Sequence, residues 1–200
     1  LRLDRSIADF LNYLDKKVGK GNYLVFLTAD HGAMNNARFL QDRRIPTGAW
    51  SNSEIADRLN ARLLETFPSC GKIVSQVFFD IARIRQQHLD YDSIKQCVVD
   101  ELLTDSSVHY ACDMNKVMTA TIPDNVKRRI INGYCHGRSG DVQIVLKPGF
   151  YAHSMKGTDH GAWTPYDTHI PLIFMGWGVS HGSTTGLTEM TDITPTIAAL

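Results

Sequence analysis

Thr28-Ala-Asp-His-Gly32 sets a carboxylate beside an imidazole, at Asp30 and His31, directly after the apolar run Leu24 to Leu27. Aspartate oxygen and histidine nitrogen both suit zinc, at about 2.0–2.2 Å, and adjacent donors on a sharp strand-to-loop turn can face one cation. Gly32 lets the backbone approach closely or take positive φ. The same triplet suits a surface loop in which Asp30 caps a helix and His31 is incidental, so by itself it leaves both open. A second polar cluster, Gly157-Thr-Asp-His-Gly-Ala-Trp-Thr-Pro-Tyr-Asp-Thr-His169, carries two histidines, two aspartates and two glycines. His160, near glycines 157 and 161, is the better exposed ligand. His169 abuts the next strand, where buttressing the loop by hydrogen bonding is equally open to it. Two such clusters 129 residues apart (160 minus 31) are harder to set aside than either alone.

The elements that must position them read as follows. Residues 5–17 space Ile7, Phe10, Leu11 and Leu14 as one face of a helix, which Gly19 and Gly21 end. Tyr23–Thr28 is a short continuous apolar run, expected to be a strand buried on both faces as in a helix-covered parallel sheet. Ser53 is placed to cap a helix running to about Phe67. Lys72–Phe79 alternates as a strand, Tyr91–Leu103 as a helix and Val108–Cys112 as a strand, and Pro123 opens a helix to about Tyr134. Strand language returns at Asp141–Lys147 and Ile170–Met175, and Asp192-Ile-Thr-Pro195 looks like a capped helix start. The expected class is α/β. Residues 1–50 and 136–200 belong to the main domain, and 51–135 form an inserted small α+β lobe. Ligands of open α/β sheets sit beyond the carboxyl ends of strands, which is where the first cluster falls; the second falls beside a strand.

Composition bounds the partners. Twenty-one basic and 21 acidic residues give a formal net charge of zero, which supplies no electrostatic reason for nucleic acid or an anionic membrane as partner. No run reaches the roughly 18 apolar residues of a membrane span, and no signal-peptide pattern is visible. Both ends, Leu1-Arg-Leu-Asp and Ile197-Ala-Ala-Leu200, look like cuts through a larger protein. The cysteines at 70, 97, 112 and 135 include no Cys-x-x-Cys pair, so a thiolate zinc knuckle is not expected; buried thiols are the simpler expectation, with pairing in an oxidising compartment left open.

Four segments together resemble the alkaline phosphatase superfamily, in the branch of bacterial single-chain alkaline phosphatases related to type I phosphodiesterases and nucleotide pyrophosphatases. They are Phe26–Gly32, Ser139–Gly149, Gly157–Phe174 and Met190–Leu200. The resemblance covers the two ends of the chain well and the middle weakly. It implies the C-terminal part of a doubly wound α/β/α sandwich carrying two zinc ions, with manganese or magnesium as alternatives, and a threonine or serine nucleophile. Position by position, Asp30 and His31 match the pair on one zinc, and His160 matches the late histidine on the other. The nucleophile and the remaining ligands would lie upstream of Leu1, so no catalytic nucleophile is expected within these residues.

The implied chemistry is hydrolysis of a small phosphate monoester through a phosphoenzyme in a two-metal clamp. Thr28, Asp159, Asp167 and His169 are then candidates to orient the ligands, because a ligating histidine usually donates its other N–H to an oxygen. Asp159 serves equally well as a solvent-facing loop residue. Arg138 and Lys147 fit a solvated strand end and a turn better than phosphate binding, and Trp163, Tyr166 and Trp177 fit wedging of the loop against the core. Phosphodiester or sulfate ester hydrolysis, a manganese-dependent mutase, and a non-catalytic binding domain on the same fold are the alternatives. A periplasmic or otherwise extracytoplasmic address is implied by the resemblance, and the oligomeric state is open.

Overall fold

The computed structural model describes residues 2–75, 78–151 and 157–200. Along the chain the elements run α1 (Arg2–Lys17), β1 (Leu24–Thr28), α2 (Ala37–Gln41), β2 (Gly48–Ala49) and α3 (Asn52–Thr66). They continue with β3 (Val74–Ser75), β4 (Phe78–Phe79), α4 (Ile81–Gln86), α5 (Tyr91–Leu103), β5 (Val108–Asp113) and α6 (Asp124–Gly133). Then follow β6 (Val142–Leu146), β7 (Phe150–Tyr151), α7 (Pro165–Thr168), β8 (Leu172–Gly176) and α8 (Ile193–Ala199). No helix among the described residues is long and apolar enough to cross a membrane. The chain divides into two units, Leu1–Asp30 with Ile170–Leu200, and His31–His169.

The first unit holds α1, β1, β8 and α8. Gly19 (φ 99°) and Gly21 (φ 83°) end α1 as their sequence position predicts. β1 forms where expected but not with the expected surroundings. It pairs antiparallel with β8, Thr28 opposite Leu172 and Leu24 opposite Gly176. Phe26 and Leu27 remain 43% and 42% exposed. An apolar run predicts a strand that can be covered on both faces. Whether it is covered depends on what packs there, and among the described residues β1 pairs with β8 alone. The antiparallel register has a useful consequence: the end of β1 lies beside the start of β8, so the segments leading to Asp30 and away from His169 meet the sheet at one edge.

The second unit contains the larger core. Its centre is Leu59 and Leu63 from α3, Ile94, Val98 and Leu102 from α5, and Val108, Ala111 and Val142 from the strands. α5 matches the sequence boundaries residue for residue: Asp90 accepts the Ser93 N–H as its cap, and Ile94, Val98 and Leu102 recur every fourth residue on the buried face. The cap of α3 is Ser51 rather than Ser53, because Trp50 N–H bonds Tyr151 O and holds the chain extended until residue 51. The stretch read as one strand at Lys72–Phe79 is a hairpin of β3 and β4, of which Gln76 and Val77 lie outside the described residues. Asn60 decides this. Its side chain accepts from Ile73 N and Val74 N at 2.9 Å and donates to Val74 O at 2.8 Å, so β3 is held by a side chain on one edge. Pro123 caps α6 from outside rather than opening it.

β6, read as a return to the main sheet, pairs antiparallel with β5 instead, Asp113 opposite Val142 and Val108 opposite Leu146. Hydrogen bonding therefore joins it to the 51–135 segment. All four cysteines are thiols; Cys70 and Cys112 are buried as expected of free thiols, whereas Cys97 is half-buried and Cys135 exposed.

Candidate metal centre

β1 ends at Thr28, and Asp30 follows it as an exposed residue. The Thr28 hydroxyl lies 3.4 Å from the Met190 sulfur and 3.4 Å from Ala29 O. In the second unit, His31 and His160 come together. Their rings stack with centroids 3.7 Å apart and planes 12° from parallel, which joins the two clusters that the sequence separates by 129 positions.

Each imidazole has its Nδ1 occupied locally. His31 Nδ1 lies 2.6 Å from Gly32 O. A carbonyl only accepts, so this bond requires a proton on Nδ1. His160 Nδ1 lies 3.2 Å from Asp159 Oδ1. A ligating histidine usually donates its other ring N–H to an oxygen, and both rings have an oxygen beside Nδ1. Histidine nitrogen and carboxylate oxygen are donor types that suit a divalent cation such as zinc. The site is not a closed cage: among the described residues, no group of three or more His, Cys, Asp or Glu side chains gathers as a metal site.

The loops bearing the histidines are fastened to each other through backbone. Gly32 N–H donates to Asp167 O at 2.7 Å and Met34 N–H to Asp159 O at 3.0 Å, with Thr158 Oγ1 donating to Met34 O. Gly32 is required here by space: a Cβ would overlap Tyr166 O and lie 3.0 Å from Asp167 Cα. Asp167 is buried and its Oδ2 accepts from Ala162 N at 2.6 Å, so it fastens the loop rather than a histidine ring. His169 is exposed, and its N–H closes α7 on Pro165 O.

The aromatic expectations divide. Trp163 packs against the cluster of Cys112, Val117, Ile122, Ile130 and Val145, and the Tyr166 hydroxyl accepts Gly149 N–H at 3.1 Å; both wedge the loop. Trp177 does not. It follows the turn at Gly176 (φ 112°) and is 55% exposed. Arg138 is exposed in the turn after Cys135, and Lys147 Nζ donates to Ser106 O at 2.8 Å, which gives it a structural task. The Gly32–Asp167 and Met34–Asp159 rungs were not legible in the sequence; the excess of glycine beside each histidine was the one local sign of them.

The profile of the type I phosphodiesterase / nucleotide pyrophosphatase family matches residues 1–170. The chain belongs to that family. It is 45% identical over its whole length to alkaline phosphatase PafA of Elizabethkingia meningoseptica, spanning 37% of that protein. It is also 45% identical to alkaline phosphatase PhoV of Synechococcus elongatus, spanning 36% of it. The crystal structure of wild-type alkaline phosphatase PafA superposes with a TM-score of 0.92 at 43% identity, covering all of this chain and 39% of that one. The fold is therefore the α/β fold of an alkaline-phosphatase-like domain, and the chain spans little more than a third of its relatives.

Proposed function

We propose that this chain is the C-terminal part of a zinc-dependent phosphoric ester hydrolase that acts on small phosphate monoesters. The observation that carries the proposal is the stack of His31 on His160, with each Nδ1 held by an oxygen. His31 and its sequence neighbour Asp30 would hold one zinc and His160 a second. Two bound zinc ions supply Lewis-acid stabilisation of the phosphoryl oxygens and lower the pKa of a bound hydroxyl.

The chain's own residues do the positioning. Gly32 O and Asp159 lie at Nδ1 of His31 and His160, and a ring held in one orientation binds a cation at a smaller entropic cost. The nucleophilic hydroxyl and the other ligands come from the rest of the protein, which the relatives possess and these 200 residues do not span. An extracytoplasmic address is part of the same proposal.

Zinc content and p-nitrophenyl phosphate turnover of the full-length protein test it. His160→Ala should lower zinc stoichiometry and turnover together, while the 200-residue chain alone should turn over nothing. Unchanged zinc content in His160→Ala would refute the assignment. A phosphodiesterase reading has one specific support, the family description; faster hydrolysis of bis-p-nitrophenyl phosphate than of the monoester would favour it.

A further inference from the structure

We infer that Asp167 is a positioning residue that ties the His31 loop to the His160 loop and so sets the separation of the two rings. The inference rests on the ligand assignment above and concerns a residue that touches neither ring.

Asp167 is 3% exposed. It reaches one backbone N–H beside each histidine: its carbonyl accepts from Gly32, next to His31, at 2.7 Å, and its carboxylate accepts from Ala162, two residues after His160, at 2.6 Å. One residue thus joins both loops, one through the main chain and one through the side chain. Its own position is fixed by α7, where Asp167 N–H and Thr168 N–H both donate to Thr164 O at 3.0 Å and Pro165 sets the first turn. Lateral slack is removed by Gly32, whose bare Cα lets Tyr166 O and Asp167 Cα approach.

The choice of aspartate is costly unless it has a task. Oδ1 is buried with no hydrogen-bond partner among the described residues, and burying an unpartnered carboxylate oxygen is unfavourable. A leucine would fill the volume without that cost but could not accept the Ala162 N–H. Ala162 N–H would then be orphaned and the segment just after His160 released.

The test uses the full-length protein and reads zinc dissociation constants by competition with a chelating indicator, below the melting temperature of every variant. Asp167→Ala should weaken zinc binding about 10–100-fold, the range for loss of an outer-shell support. Asp167→Asn keeps an acceptor for Ala162 and should stay within about threefold of wild type, below that range. Gly32→Ala, which forces the same junction apart, should weaken binding as Asp167→Ala does and stands in for it if that variant does not fold. Wild-type affinity in Asp167→Ala would overturn the inference, as would an Asp167→Asn loss equal to that of Asp167→Ala, or unchanged affinity in Gly32→Ala. His160→Ala, measured alongside, separates the two levels. If it retains full zinc, the ligand assignment fails; if it loses zinc while Asp167→Ala does not, only the tie between the loops fails.

Discussion

Replacing Lys95 by methionine should destabilise the second unit by about 3 kcal/mol, the lower end of the range for breaking a buried ion pair. Lys95 is fully buried, with Nζ 3.0 Å from Asp113 Oδ1 and 2.9 Å from Oδ2. Methionine keeps the stem that packs within α5, so the change isolates the ammonium. What remains is Asp113, 4% exposed, whose Oδ2 then has no partner among the described residues. Two features keep the loss from the top of the range. Asp113 Oδ1 retains the Asn115 N–H at 2.9 Å, and the second carboxylate on Lys95, Asp92, is 68% exposed, so that pair adds little. Urea unfolding measures the effect: with a slope of about 1–3 kcal/mol/M, the midpoint should fall by about 1–3 M. Asp113→Asn added to Lys95→Met should recover most of the loss, because the buried charge is then gone. A single variant within about 1 kcal/mol of wild type, or a double variant no better than the single, would refute the reasoning.

Asn60→Ala should cost at least about 2 kcal/mol in the same assay, since it orphans the Ile73 and Val74 N–H groups that its Oδ1 accepts at 2.9 Å; an unchanged midpoint would show that β3 finds other partners. The pH dependence has a sign at each end. Burial alone would lower the Lys95 pKa, but its bonds to Asp113 and Asp92 outweigh this and raise it. The stability it contributes is therefore present below the unfolded lysine value near about 10.4 and lost as pH rises through the raised folded value. Asp105 is the converse. Burial raises its pKa, the Ser107 and Arg58 hydrogen bonds outweigh burial, and the net shift is downward. Its contribution is present above the unfolded aspartate value near about 3.9 and lost as pH falls through the depressed folded one. Lys95→Met should flatten the alkaline limb and leave the acid limb in place.

The parts legible from sequence are those whose cause is local. α5 follows from a cap at Asp90 and a four-residue apolar repeat, both contained in 14 consecutive residues, 90–103, and β1 follows from a run of apolar residues between glycines and a polar turn. Asp30-His31 and the 157–169 cluster were visible because metal-binding side chains and glycines crowd into short loops. Pairing across distance was not visible. Nothing in residues 141–147 says that β6 joins β5, and nothing in residues 23–28 says that β1 runs antiparallel to β8 and stays partly exposed, because an apolar strand is equally satisfied by any neighbour that buries it. Trp177 looked like a wedge by type alone, yet the turn at Gly176 leaves it exposed.

By itself, then, the sequence determined the elements with local caps and periodicity, and which loops crowd the residue types that could hold a metal. The tertiary structure decided that His31 and His160 stack, that each has an oxygen beside Nδ1, and that Asp167 fastens loops rather than a ring. The reason is physical: the Gly32–Asp167 and Met34–Asp159 bonds join backbone groups, and backbone groups are the same at every position until the fold brings two of them together.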